Sequence, residues 1–323
     1  MKEIGGYFGL DENRGREYYS NALAFNTARN CLRFLIRHHG IKRIAIPDYN
    51  CEAVEGAIQK EDCGYYFYPV GRDLKPDISK VRDSDWLYIV NYYGQNSEFI
   101  DAVINAHKNV IVDNVQAFFC KPFKGADNIY TCRKFFGVSD GAYLLPQDNS
   151  MLQEYEKLEV DKSGKRLGAV LGRYEDNAES HFKEYQGIEE DLDKLPILKM
   201  SSITHWLLRS IDYDHMISVR NSNFSFLQER LDGINEIEVG DNTGSYVYPL
   251  LIRNGSNIRK KMIEEKIFIS TLWPNVIRSC EKDSDAFYLA TNLLPIPCDQ
   301  RYEIDDLKYV VDTILKCLEG MII

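Results

Sequence analysis

The 323-residue chain lacks any uninterrupted apolar run of about 18 residues, the length a membrane-spanning helix requires. The nearest approach, the C-terminal YVVDTILKCLEGMII, is broken by Asp312, Lys316 and Glu319 into the pattern of an amphipathic helix. The opening MKEIGGYFGL lacks the basic stretch and apolar core of a signal peptide. Paired C-x-x-C cysteines are missing as well. The eight cysteines, at 31, 51, 63, 120, 132, 280, 298 and 317, are scattered without Cys/His ligand spacing. This argues against a zinc site or a disulfide framework and predicts reduced, mostly buried thiols of a cytoplasmic protein. Positive charge is in deficit: 39 Lys plus Arg against 49 Asp plus Glu leave a net charge of −10. An acidic surface repels phosphate backbones, so no nucleic-acid partner is expected, although a local basic pocket could still seat one phosphate. Nor is there an internal repeat, a low-complexity tract, or a G-x-G-x-x-G after the first apolar run. The last absence places a nicotinamide-dependent oxidoreductase last among the readings.

What is present is ordinary globular composition, 44% hydrophobic and 27% charged, in a chain long enough for one large domain or two smaller ones. In the first half, helical and strand patterns alternate. Residues 22–39 read as a helix entered through the polar turn Asn26-Thr27, with 51–60 and 99–108 as further helices. KRIAIP (42–47), YYFYP (65–69), WLYIVNYY (86–93), NVIVDN (109–114) and YLL (143–145) are strand-like runs. Such alternation predicts an α/β fold with a mostly parallel sheet covered by helices, whose ligands sit beyond the C-terminal strand ends. Residues 150–198 are charged and poor in strand signals, with the acidic patch EEDLD at 189–193, and read as an arm of helices and loop. A long helical pattern from Met200 to Leu231 is interrupted near Asp212. Then come YVYPLLI (246–252), a helix at 257–265, IFISTLWP (267–274), a loop over 290–299 and a last helix at 304–318. The predicted division is a large domain over 1–215 and a smaller α+β domain over 216–323.

Three segments could carry chemistry. Asp113 ends an apolar strand and is followed by Asn114 and Gln116; a carboxylate there needs a cation or hydrogen-bond donors, or else serves as a turn or cap residue. Asn26-Thr27-Ala28-Arg29-Asn30 opens a helix, where free N–H groups, a hydroxyl and a guanidinium suit a phosphate. Capping alone explains Asn26 and Thr27 equally well, but not Arg29. Arg133-Lys134-Phe135-Phe136-Gly137 sets a lysine among aromatics, either as a snorkelling surface residue or as a desolvated amine suited to a Schiff base. The order is more informative than any one signal: helix-start phosphate seat, strand-end Asp, then Lys twenty-one positions later (134 − 113 = 21). That is the order in which pyridoxal phosphate is bound by the large domain of fold-type-I enzymes.

The segments NTARNCL, IPDYNC, VNYYG, VDNVQA, RKFFGVSDGAYL and KMSSITHWLL also follow the landmarks of the DegT/StrS group of pyridoxal-phosphate-dependent sugar aminotransferases, which the chain resembles over most of residues 20–300. Arg220 with Asn223 and the late LPIP fit the same order. The resemblance implies Lys134 as the cofactor-bearing lysine and proton carrier, Asp113 as partner of the pyridine nitrogen, and Gln116 on the ring-hydroxyl side. Thr27, Ala28, Arg29 and Asn30 fall where the group's phosphate-binding turn lies, and Thr131 is the nearest hydroxyl to its phosphate-binding serine. Cys51 stands where the group often stacks an aromatic on the ring, so Tyr49 or Tyr92 is expected to substitute. The Asn-x-Arg that a partner subunit supplies is matched by Ile197 and Lys199, so only the cation, Lys199, survives. The implied activity is amino transfer from glutamate to a keto sugar, nucleotide-linked, by a cytoplasmic homodimer without membrane or nucleic-acid partners. The alternatives are a dehydratase or lyase using the same cofactor, and an inactive relative with a binding role.

Overall fold

The computed structural model describes residues 4–240 and 243–320. Short runs of three to five residues, most of them apolar, become the strands of a seven-stranded sheet: β1 (Leu23–Phe25), β2 (Arg43–Pro47), β3 (Gly64–Tyr68), β4 (Trp86–Val90), β5 (Val110–Asp113), β6 (Asp127–Thr131) and β7 (Ala142–Leu145). Their spatial order is β1-β7-β6-β5-β4-β2-β3. β7 pairs antiparallel with both β6 and β1, and the remaining pairings are parallel. Successive residues of β5 and β6 are all buried, although side chains alternate between faces, so both faces of the central sheet are covered. The covering helices include α1 (Ala28–His39), α2 (Glu52–Gln59) and α3 (Ser97–Ala106).

Helix α1 begins where Thr27 turns extended and its hydroxyl accepts from Asn30 N at 3.2 Å, a cap worth about 1 kcal/mol. It ends at Gly40 in the left-handed conformation. The helical pattern of 22–39 is therefore shortened at its start. Residues 23–25 are drawn into the sheet as β1, because β7 offers them an edge to pair with.

Beyond β7, the charged arm holds α4 (Leu152–Glu156), α5 (Gly168–Glu175) and α6 (Phe182–Lys194), after which α7 (Ser202–Arg209) and α8 (Tyr213–Leu231) are separated at Asp212. Ser201 caps α7 through Thr204 N, and Asp212 caps α8 through His215 N at 3.0 Å. β8 (Val247–Leu251) and β9 (Leu293–Pro297) form a second, antiparallel sheet. Among α9 (Gly255–Glu264), α10 (Pro274–Ser279), α11 (Asp285–Asn292) and α12 (Ile304–Glu319), helices α9 and α11 pack next to β9, and α8 and α12 lie against each other. Residues 293–297, expected within a loop, are thus a strand. The expected C-terminal helix is α12; residues 321–323 and the opening residues 1–3 lie outside the described residues. Among the described residues no helix is long and apolar enough to cross a membrane, and no cluster of His, Cys, Asp or Glu is placed to hold a metal ion. All eight cysteines are free thiols.

Candidate functional site

Parallel strands bring their C-terminal ends to one edge of the sheet, and Asp113 is the last residue of β5. It is 3% exposed, so its charge must be met from within the protein. Oδ1 accepts from Val115 N at 2.8 Å, and Oδ2 accepts from the Tyr88 hydroxyl of the neighbouring strand. The strand register explains the second contact: Tyr88 lies opposite Ile111 and Val90 opposite Asp113, so Tyr88 and Asp113 project from the same face. Burial raises the Asp113 pKa, while Tyr88, Lys134 and the Val115 amide pull it back towards the ionised form.

Lys134 follows the end of β6. The chain turns at Cys132, whose carbonyl accepts from Phe135 N at 3.0 Å and Phe136 N at 2.9 Å. Phe135 and Phe136 sink into an aromatic cluster with Phe118, Phe119 and Tyr130, each burial worth about 1.5–3 kcal/mol. Lys134 is left between them and the site. Its ammonium lies 5.6 Å from the centre of the Tyr246 ring and donates no hydrogen bond to any described residue. Burial lowers its pKa; Asp113 opposes that shift and Arg133 adds to it. Gly141 fixes the return of the loop. Its φ is +119°, its N–H donates to the Asn26 carbonyl at 2.7 Å, and its carbonyl accepts from Cys132 N at 3.0 Å. The lysine turn is thereby tied to the start of α1.

Gln116, fully buried in the turn after β5, accepts from Tyr93 N at 3.4 Å, and its side-chain amide also meets the Tyr93 side chain. Cys51 is the residue at which α2 begins, without a side-chain cap. Arg29, in the first turn of α1, reaches Glu189 at 4.0 Å and Asp193; Arg133 takes Glu189 as a fork, with one contact at 3.3 Å.

Asp113, Lys134, Arg29 and Arg133, with Glu189 of the acidic helix α6, thus form one charged group, with Gln116 just beyond the end of β5. Other expected residues lie elsewhere or are already engaged. Thr27 is committed to capping α1. Asn30 donates to Asn26 Oδ1 at 2.9 Å and to the Pro196 carbonyl at 2.8 Å, and Ala28 is half-buried against the core. Tyr49 and Tyr92 are packed with Trp273, the Tyr92 hydroxyl donating to the Tyr49 carbonyl. Thr131 ends β6 opposite Ala142. Lys199 is held in its own chain by Glu156 at 3.0 Å and lies over the Tyr155 ring.

Sequence reasoning assigned no site role to Tyr88, Glu189 or Arg220. A tyrosine within the otherwise apolar run WLYIV was the available signal for the first. Arg220, 1% exposed on α8, donates to Gln300 Oε1 at 2.9 Å, the Ser245 carbonyl at 2.7 Å and the Phe135 carbonyl at 3.4 Å, clamping the lysine turn to the C-terminal part of the chain.

No protein-family model matches the chain, and no curated protein matches it significantly. Solved structures do match. The chain is similar to DesV of S. venezuelae, solved with a ketimine intermediate: TM-score 0.66, 14% identity, 91% of this chain and 83% of that one covered. It is similar to PseC of Helicobacter pylori, an aminotransferase involved in pseudoaminic acid biosynthesis: TM-score 0.63, 12% identity, 93% and 87% covered. A DegT/StrS-type aminotransferase from Brucella abortus gives a TM-score of 0.63 at 12% identity, with 91% and 85% covered. These likenesses establish the fold, which the chain shares with these three structures.

Proposed function

We propose that the chain is a pyridoxal-phosphate-dependent aminotransferase that moves an amino group from glutamate to a keto sugar, nucleotide-linked. The observation that carries this reading is the carboxylate of Asp113, buried at the C-terminal end of β5 and oriented by the Tyr88 hydroxyl and the Val115 N–H, with the Lys134 amine in its electrostatic reach. The residues suit the cofactor: an amine set over the Tyr246 ring, a buried carboxylate oriented by two donors, and two guanidinium groups. CalS13 of Micromonospora echinospora, of similar fold, is described as a sugar aminotransferase, which supports a sugar as substrate.

Pyridoxal phosphate, when bound, supplies an aldehyde for covalent attachment to an amine and a ring that draws electrons from the adjacent carbon. Lys134 Nζ is the attachment point, and its lowered pKa leaves more of the amine as the nucleophilic free base. Asp113 would pair with the ring nitrogen and hold a proton there. Gln116 would donate to the ring oxygen. Arg29 and Arg133, with the first amides of α1, would seat the phosphate. The Lys134 amine would also be the group placed to take the proton from the amine-bearing carbon of the substrate and to hold it for return to the cofactor's former aldehyde carbon.

In this reading residues 1–215 form the cofactor domain and 216–323 the small domain of a cytoplasmic homodimer. Positive charge at the phosphate would come from Arg29 and Arg133 of the same chain and from a Lys199 supplied across the dimer, each of these cations also pairing with a carboxylate of its own chain. The test is spectroscopic. Purified protein given the cofactor should show a visible absorption band that borohydride abolishes, with the pyridoxyl label on Lys134. Glutamate should bleach the band, and a keto sugar should restore it. A label on Lys121 or Lys124 overturns the assignment.

A further inference from the structure

The acidic patch of residues 189–193 lies against the two arginines of the site, Glu189 meeting Arg133 and Arg29, and Asp193 meeting Arg29. Glu189 and Asp193 are one helical turn apart on α6, so they share a face. That face meets Arg133 and Arg29, whose side chains are 15% and 18% exposed. Two neighbouring guanidinium groups so far removed from water require an anion. The two carboxylates bring a charge of −2, and a phosphate ester brings about −1.5 to −2 at pH 7. Electrostatically, one can stand in for the other.

Helix α6 is also held more by charge than by apolar packing. Leu192 is its one buried residue, whereas Phe182 and Tyr185 are 57% and 46% exposed. Its other ties are polar: Lys60 to the Asp193 carbonyl, and Arg33 and Asn30 to the carbonyls of Leu195 and Pro196. Its neighbour α5 goes with it. A Cβ at Gly172 would lie 2.2 Å from the His181 ring, and one at Gly168 would lie 2.0 Å from the Glu184 carboxylate, so the helices touch through glycine. His181 also bonds Asp176 and Glu184 across the hairpin, at 3.0 and 3.4 Å.

We infer that Glu189 and Asp193 are a built-in counter-anion, a latch that holds the α5–α6 hairpin over Lys134 and gives way to the phosphate of an incoming phosphorylated ligand. The latch presupposes that Arg29 and Arg133 seat that phosphate, as proposed above, and adds that the seat is filled by the chain itself until the ligand arrives.

Hydrogen exchange over 182–194 tests this in the wild type and in a Glu189→Gln, Asp193→Asn double variant. Each is measured alone and with saturating inorganic phosphate, pyridoxal or pyridoxal 5′-phosphate. In the wild type, phosphate and pyridoxal 5′-phosphate should speed exchange over 182–194, and pyridoxal should not. Phosphate should bind the double variant about tenfold more tightly, the factor expected if the latch leaves the seat free about one-tenth of the time. Both substitutions keep side-chain volume, and the wild-type exchange result decides even if the variant does not fold. Equal phosphate affinities with unchanged protection of α6 overturn the latch. Attachment of pyridoxal 5′-phosphate to Lys134 with α6 unmoved removes the latch and leaves the cofactor reading standing. Phosphate that loosens α6 in a protein that attaches no cofactor supports the latch and removes the cofactor reading.

Discussion

Removing the Tyr88 hydroxyl asks whether the sheet itself holds Asp113 in its charged form. The two side chains project from adjacent parallel strands on one face, both buried, and Tyr88→Phe changes no packing volume. A hydrogen bond to a charged acceptor is worth about 1.5–3 kcal/mol and one to a neutral acceptor about 0.5–1.5 kcal/mol. Tyr88→Phe should therefore cost about 2 kcal/mol in the wild type. In the Asp113→Asn background, where the amide oxygen still accepts but carries no charge, it should cost about 1 kcal/mol. The difference, about 1 kcal/mol, is the coupling that urea denaturation of the four proteins at pH 7 would read in a double-mutant cycle. The pH dependence gives a second readout. The folded-state pKa of Asp113 lies above its ordinary 3.8, so its contribution to stability is complete below 3.8 and is lost as pH rises through the folded value. Tyr88 lowers that value, so Tyr88→Phe should move the loss to higher pH. Additivity within about 0.3 kcal/mol, with no movement along the pH axis, would refute the claim that Tyr88 senses the charge on Asp113.

Lys134→Met keeps the stem and removes an amine whose charged form burial disfavours. The variant should take no covalent cofactor while its apo melting temperature equals or exceeds that of the wild type, and a fall of several degrees would contradict the electrostatic assignment. Asp48, at the end of β2, has its pKa pushed up to about 6 chiefly by burial, against the Val70 N–H at 3.0 Å. Its contribution to stability is complete below 3.8 and lost as pH rises through 6. Asp48→Asn should flatten the melting curve between pH 4 and 6 and, discounted for partial exposure, add about 1 kcal/mol at pH 7; an unchanged slope would exclude Asp48 as its source. Gly141→Ala places a methyl 3.1 Å from Thr204 Cγ2 and 3.2 Å from Cys132 Cβ at a φ of +119°. Calorimetry should show a loss of about 2 kcal/mol or more, and wild-type melting would mean that the lysine turn tolerates a side chain there.

The sheet was legible where buried strands are uniformly apolar, as in Arg43–Pro47, Trp86–Val90 and Val110–Asp113. β6 was not. Its first residues, Asp127 and Asn128, look like a turn, yet both are buried with distant or loop partners: Asp127 accepts from Gln147 N and pairs with His39, and Asn128 binds Phe123 and Ala126. β9 was hidden by Pro295 and Pro297, which a central strand excludes but a two-stranded sheet tolerates, because each of its strands is an edge. At the site, Asp113, Gln116 and Lys134 could be picked out because strand ends and turns announce themselves locally. Glu189 could not: it meets Arg133 across 56 positions of chain, through a helix whose sequence marks only an acidic surface.

The antiparallel β7 has a consequence for how the chain is made. β1 leaves the ribosome well before its ladder partner β7, Leu23 lying opposite Leu144, and before Lys199, to which Phe25 is bridged. Until those segments follow, β1 waits without a place, while β2 to β5 can associate among themselves. Thr27 and Arg29 follow β1 directly, and the Asn26 carbonyl is anchored by Gly141 N. The proposed anion seat would thus come together only when the middle of the chain closes onto β1. A phosphorylated ligand bound there would recognise a sheet already completed, not nucleate it.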